Sequence, residues 1–416
     1  MKTVKSLDQK LARIHTDPTG AKDFILADAK DADMALGIAA PGPTMGQAAK
    51  QHPHRSLAEY REQMRLIIEQ GLVDIMLMSA STLEQLVIRE RLFDRSSITP
   101  AGRCNDTTDI HIYRGGTSAQ QASLPFRTAT LDHLMHGKRV DHGTEVSKGV
   151  NLGLYSLTFN NDARLDREAL EGYKTFRLEA EAKGFRHFLE VFDPNVAGAV
   201  PDEQIPGYIN DAIVRTLAGV TQVGRPIFLK IVYHGPEALE ELVHYDPHLV
   251  VGVLGGSAGT TYDAFKLLAE AKKYGARAAL FGRKINQAEN QLAFIQFLRY
   301  VADGVISPEE AVRAYHGVLE RLGIKPWRSL REDMQLHSNV MSYGGSNTVI
   351  SLPPTKPKRA IKQCGCAESA ASSCACNYAK ATGAHHSVPM IEPDFSKMSQ
   401  AEKVQYNLDR WRRILG

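Results

Sequence analysis

The chain has 416 residues, 43% of them hydrophobic, with 50 Lys and Arg against 47 Asp and Glu, a formal net charge of +3. That balance argues against nucleic acid or an anionic membrane as the main partner, and no stretch approaches the roughly 18 consecutive apolar residues of a membrane span. The opening MKTVKSLDQKLARIHTDP has no apolar h-region, so a soluble cytoplasmic protein is expected, with a small molecule as ligand and a homo-oligomeric state.

In chain order, FILADA (24–29) reads as a first strand. After a Gly/Pro loop, Ser56 and Glu59 form a capping box that opens a helix, and Gly71 closes it. VDIMLMSAS (73–81) reads as the second strand and runs into a helix opened by Ser81 and Glu84. DIHIYRGG (109–116) reads as the third strand and NLGLYSLTFN (151–160) as the fourth, followed by a long helix ending near Gly184. HFLEVF (187–192), PIFLKIVY (226–233), LVVGVL (249–254) and ARAALFG (276–282) complete a series of about eight strand-helix units before residue 322.

Repeated β-α units require parallel strands with right-handed crossovers, in a closed barrel or an open doubly wound sheet. An open nucleotide-binding sheet is expected to carry GxGxxG or GxxxxGK[ST] after its first strand. KDADMALGIAAPG follows here instead, and eight units in roughly 300 residues fit a TIM (β/α)8 barrel. The expected organisation is a barrel over 1–323, a connector over 324–362, a Cys-rich low-complexity segment over 363–388 and a C-terminal helix over 389–416.

In a barrel, function lies at the C-terminal ends of the strands. The polar residues expected there are Asp28 and Lys30, Ser79, Arg114, Asn160 and Asp162, Glu190 and Asp193, Lys230 and His234, then Gly255-Gly256-Ser257 and Gly282-Arg283. Strand alternation puts Lys230 on one face with Phe228 and Val232, and Leu229 and Ile231 on the other. Burial there disfavours the ammonium, and a neutral amine attacks carbonyl carbon to form a Schiff base. The alternative is a structural lysine paired with a carboxylate such as Glu190, one strand earlier. Glu190 likewise reads either as a proton-transfer group or as a salt-bridge partner. Gly255, Gly256 and Ser257, the helix start after them, and Arg283 suggest an anion site at the two loops where barrels commonly bind phosphate. By themselves the glycines would mark only a tight turn.

FLEVFDP, FLKIVYHG and VLGGSAGTTYDAFKLLAEAKKYGARAALFGRKI, in that order, resemble the class I aldolase superfamily, which includes tagatose-bisphosphate, deoxyribose-phosphate and archaeal-type fructose-bisphosphate aldolases. The resemblance implies a TIM barrel, Schiff-base chemistry at Lys230 without a cofactor, and phosphate binding at Gly255, Gly256, Gly282 and Arg283. ILADAK resembles an early Asp-containing segment of that family, which places Asp28 and Lys30 in the site, Asp28 to orient hydroxyls or steady the amine. Lys30, Arg114, His234 and Ser257 join the expected substrate contacts. One departure is clear: the archaeal-type enzymes carry a proton-donating tyrosine on the fifth strand, where this chain has Phe192. The proton would then move through Glu190, Asp28, Tyr233, His234 or water. Two other classes stay open: a metal-dependent sugar isomerase or class II aldolase using Glu190, Asp28 and His234 as ligands, and a non-catalytic sugar-phosphate-binding barrel.

Cys364, Cys366, Cys374 and Cys376 form two CxC pairs. They are candidate zinc thiolates with His385 and His386, although CxxC is the usual structural spacing; a redox-active or disordered tail is the other reading. SQAEKVQYNLDRWRRILG (399–416) is an amphipathic helix in pattern, opened by Ser399 and Glu402.

Overall fold

The structure is a computed structural model that describes residues 3–45, 49–110, 113–140, 148–256 and 259–337, together with Tyr406. Ser257, the Cys-rich segment and all of the C-terminal amphipathic pattern but Tyr406 lie outside the described residues.

Eight parallel strands close into a barrel. They are β1 (Ile25–Lys30), β2 (Ile75–Met78), β3 (Thr99–Arg103), β6 (Leu152–Thr158), β7 (Arg186–Phe192), β8 (Leu229–Ile231), β9 (Val251–Leu254) and β10 (Ala278–Phe281). Two short strands, β4 (Asp106–Thr107) and β5 (Pro125–Phe126), pair antiparallel between β3 and β6. The expected barrel is therefore present.

One strand differs from expectation. DIHIYRGG does not supply the third barrel strand, which is Thr99–Arg103, paired with β2 and β6. Its sequence, TPAGR, has a proline, a glycine and no apolar alternation, so periodicity cannot reveal it. Gly102 is required by packing, since a Cβ there would meet Leu134 at 2.8 Å. Asp109 and Ile110 instead belong to a turn, and Ile110 packs inside the mouth with Phe192, Val232 and Leu254.

Alternation sorts the wall into two faces. Ile25, Ala27, Ile75, Leu77, Leu152, Leu154, Phe188, Phe228, Ala278 and Leu280 fill the barrel, and Leu7, Leu11 and Ile14 of the helix Ser6–Thr16 plug its lower end. The other face, including Leu26, Met76, Leu189, Leu229 and Phe281, packs against the helices. The helix Leu57–Gln70 carries the Ser56–Glu59 capping box and a left-handed Gly71 at its end. The helix after β2 starts at Ala80, two residues earlier than an N-cap at Ser81 would set it: Ser79 holds the N-cap position, and its hydroxyl donates to Asp33 at 2.7 Å instead of capping the helix. Beyond the last barrel helix, Trp327 donates its indole N–H to the Gln287 carbonyl, and the backbone N–H of His337 donates to Asp263.

Candidate active site

Phe188 and Phe228 point inward and stack at 4.6 Å between centroids. The residues two positions on, Glu190 and Lys230, therefore also point inward, one layer nearer the mouth, and they are register partners across β7 and β8. Glu190 Oε1 and Lys230 Nζ form an ion pair with both side chains buried. Ser156, their neighbour on β6, donates its hydroxyl to Glu190 Oε2 at 2.7 Å. Asn105 holds the Ser156 backbone from both sides, accepting from its N–H at 2.6 Å and donating to its carbonyl at 2.9 Å. On the far side, Gly252 is the register partner of Lys230, and a Cβ there would meet the Leu229 carbonyl at 2.5 Å. Glu190 is thus fixed by a hydrogen bond, and the lysine lies against a glycine wall.

Above this layer is a pocket, open to solvent, whose lining includes Asp31, Arg103, Lys230, Gly255, Gly256, Gly282 and Arg283. Gly282 lets two backbones approach, since a Cβ there would sit 2.6 Å from the Ala29 carbonyl. Gly256 turns the chain at φ +60°, in the left-handed region that favours glycine. Gly255 works differently from expectation: its N–H donates to Leu280 O at 2.7 Å, and a Cβ would meet the Phe281 ring. It supplies clearance, so its amide is engaged within the barrel wall. The start of the helix Thr261–Lys273 is also already capped: Thr260 N–H donates to Asp263, and Thr261 N–H donates to Asp333. Of the groups expected to form an anion site, those left lining the pocket are the Gly256 and Gly282 turns with Arg283.

Asp28 and Lys30 are corrected by strand parity. Both lie within β1 and share a face with Leu26, paired with Met76, Phe281 and Met78 of the helix-facing layer. Lys30 Nζ donates to Asn286 Oδ1 at 2.5 Å and Gln291 Oε1 at 2.7 Å, lies 3.4 Å from Asp28, and stands over the Tyr60 ring. Burial raises the Asp28 carboxyl to about 6 and lowers Lys30 to about 8. Neither side chain enters the barrel. The metal set of Glu190, Asp28 and His234 is likewise not assembled, because Asp28 is on the wrong side of the wall. Arg114 is exposed in the loop between β4 and β5 and is not part of the pocket lining.

Two residues that sequence reasoning missed take those places. Asp31, in phase with Ala27 and Ala29, is the acidic residue of the β1 end that reaches the pocket. Arg103 is the basic residue at the end of the true third strand, and its NH1 donates to Asp31 Oδ2 at 2.6 Å. Counting by two from Ala27 would have found Asp31; nothing in TPAGR announces Arg103. At the rim, His234 Nε2 and Asp193 lie 2.9 Å apart, bridging the ends of β8 and β7. Phe192 projects inward beside Val232 and Leu254, so the ring in the tyrosine's expected place has no proton to give.

No family model and no curated protein matches this sequence. Solved structures do match. An archaeal fructose 1,6-bisphosphate aldolase superposes with a TM-score of 0.50 at 14% identity, covering 71% of this chain and 99% of its own. A second archaeal fructose-1,6-bisphosphate aldolase, captured with its catalytic lysine bound to the carbinolamine intermediate, gives 0.50 at 16%, covering 71% and 100%. The fructose-bisphosphate aldolase of Slackia heliotrinireducens gives 0.52 at 16%, covering 79% and 93%. The structural neighbours thus include archaeal-type members of the superfamily that the motifs resemble, and at these identities the likeness is one of fold.

Proposed function

We propose that the protein is a class I aldolase that makes or cleaves a carbon–carbon bond in a ketose phosphate through a Schiff base on Lys230. The observation that carries this reading is the buried Glu190–Lys230 pair directly beneath a pocket lined by Gly256, Gly282 and Arg283. A structural salt bridge needs no pocket above it.

The resting ion pair sets the first step. Nζ attacks only as a free amine, and the Glu190 carboxylate bonded to it is the acceptor for the departing proton. Attack on the ketone carbon gives a carbinolamine; the proton held by Glu190 then leaves with the hydroxyl as water, and an iminium remains. In the cleavage direction a base removes the proton from the C4 hydroxyl, the C3–C4 electrons move into the iminium, and an aldehyde departs. The enamine is protonated at C3, and water releases the ketone product and the lysine. Glu190 is placed for proton transfer at the carbinolamine, with Ser156 holding its second oxygen, while the Asp193–His234 pair stands at the rim where a longer substrate extends. Arg283 and the Gly256 turn fix the phosphate and thereby the reacting carbons.

Borohydride reduction in the presence of ketose phosphates, followed by peptide mapping, is the direct test. The expected product is a reduced adduct on Lys230, absent from Lys230→Ala. A substrate that is turned over without ever forming that adduct would overturn the reading.

A further inference from the structure

The two ends of the pocket differ in charge. In the ring order β1, β2, β3, β6, β7, β8, β9, β10, strand β3 lies four places from β9 in either direction, so Arg103 faces the Gly255-Gly256 turn across the mouth. Arg103 is nonetheless heavily paired. Its NH1 meets Asp31 at 2.6 Å, its Nε meets Asp106 at 2.7 Å, and Nε also donates to the Asn105 carbonyl at 2.9 Å. All three ionic side chains are buried. Among the described residues, one guanidinium thus stands between two carboxylates, a formal balance of −1 for these three side chains. Behind it, Asp109 accepts from Ser123 at 2.6 Å and Thr158 at 3.2 Å, which adds a further carboxyl group to the same wall.

A second phosphate cannot be accommodated here as it would be by an arginine without carboxylate partners. It would have to part Arg103 from Asp31 and then face two carboxylates in a buried setting, where like charges repel strongly. A sugar hydroxyl suits the same groups, because it donates to the Asp31 carboxylate and accepts from the guanidinium at once. Resting on the aldolase reading above, we propose that the substrate is a ketose monophosphate. Its single phosphate sits against Gly256 and Arg283, and the end that reaches Asp31 and Arg103 is uncharged and hydroxylated. The Asp31–Arg103–Asp106 triad is the specificity device that turns away bisphosphates.

Hexitol phosphates test this without engaging the lysine, since they have no carbonyl to form a Schiff base. Calorimetric titration of the full chain with mannitol 1-phosphate and with mannitol 1,6-bisphosphate should show that the second phosphate brings no gain in affinity. Bisphosphate binding tenfold tighter, or no binding of the monophosphate, would overturn the proposal. In Asp31→Asn one negative charge is removed, and the ratio of affinities should move towards the bisphosphate by about tenfold; an unchanged ratio in a folded variant also overturns it. The two readings fail separately. Loss of the borohydride adduct sinks the Lys230 chemistry whatever the hexitols do, and a bisphosphate preference sinks the monophosphate assignment even if the adduct forms.

Discussion

Two buried lysines in apolar strands invite comparison. Lys230 follows IFL in β8, and Lys30 follows ADA in β1. Each has a carboxylate partner, Glu190 for one and Asp28 for the other. The difference is which side of the barrel wall each side chain leaves. Lys230 is in phase with Phe228 and opens on the pocket; Lys30 is in phase with Leu26 and is enclosed by Tyr60, Asn286 and Gln291. Burial and an ion pair are common to both, so neither property identifies a nucleophile. Access to an open pocket does.

Replacing each lysine should therefore separate them sharply. Lys230→Ala is expected to lower aldol cleavage by roughly 10⁴-fold or more, since the covalent route is gone, and to abolish the reduced adduct. Lys30→Met should keep the adduct and stay within about tenfold of the parent in kcat, because its contacts are on the far side of the wall. Equal losses in two folded variants would erase the distinction. On the partner side, Glu190→Gln should cost roughly 10²–10⁴-fold in kcat, the usual range for a proton-transfer group. The slow step should shift to Schiff-base formation, read by single-turnover trapping. Asp28→Asn should leave the trapping rate nearly unchanged.

The same comparison shows what the sequence makes legible. FLEVF and IFLKIVY are apolar runs with one charge each, so counting by two sets Glu190 in phase with Phe188 and Lys230 in phase with Phe228. ILADAK alternates in size but not in polarity: Ala, Asp, Ala, Lys offers small residues on one face and charges on the other, and the charges look like the functional face. In the barrel the small residues are the inward ones, and the charges are absorbed by amide side chains from the two helices after β10. Those partners are more than 250 residues away in sequence, which is why no local pattern discloses them. Arg103 escaped for a different reason: a strand of Thr, Pro, Ala, Gly and Arg is set by its neighbours, with Met76 and Gly153 in register and Leu134 against Gly102, and not by its own propensity.

The Lys30 side should be visible in stability instead. Removing Lys30 alone leaves the Asp28 carboxylate buried without its cation, and Lys30→Met is expected to lower unfolding free energy by about 3–5 kcal/mol near neutral pH. Joining Asp28→Asn to it should recover much of that loss, measured by urea denaturation.

The smallest effect is its dependence on pH. Asp28 has a folded value of about 6 against an ordinary 3.8, so the folded state holds its proton more tightly. The associated stability is full below about 4 and is lost as pH rises through about 6. Lys30 runs the other way: its folded value of about 8 lies below the ordinary 10.5, so its contribution is full above about 10.5 and is lost as pH falls through about 8. Between about 6 and 8 both groups are charged in the fold, and both contributions are absent. Relative to the Asp28→Asn, Lys30→Met double variant, the parent should therefore be at its weakest in that interval and should gain on either side. A difference curve that is flat from pH 4 to 10 would mean that the pair is solvated, and the barrier between the pocket and the Lys30 chamber would no longer explain why only one of the two lysines is proposed to react.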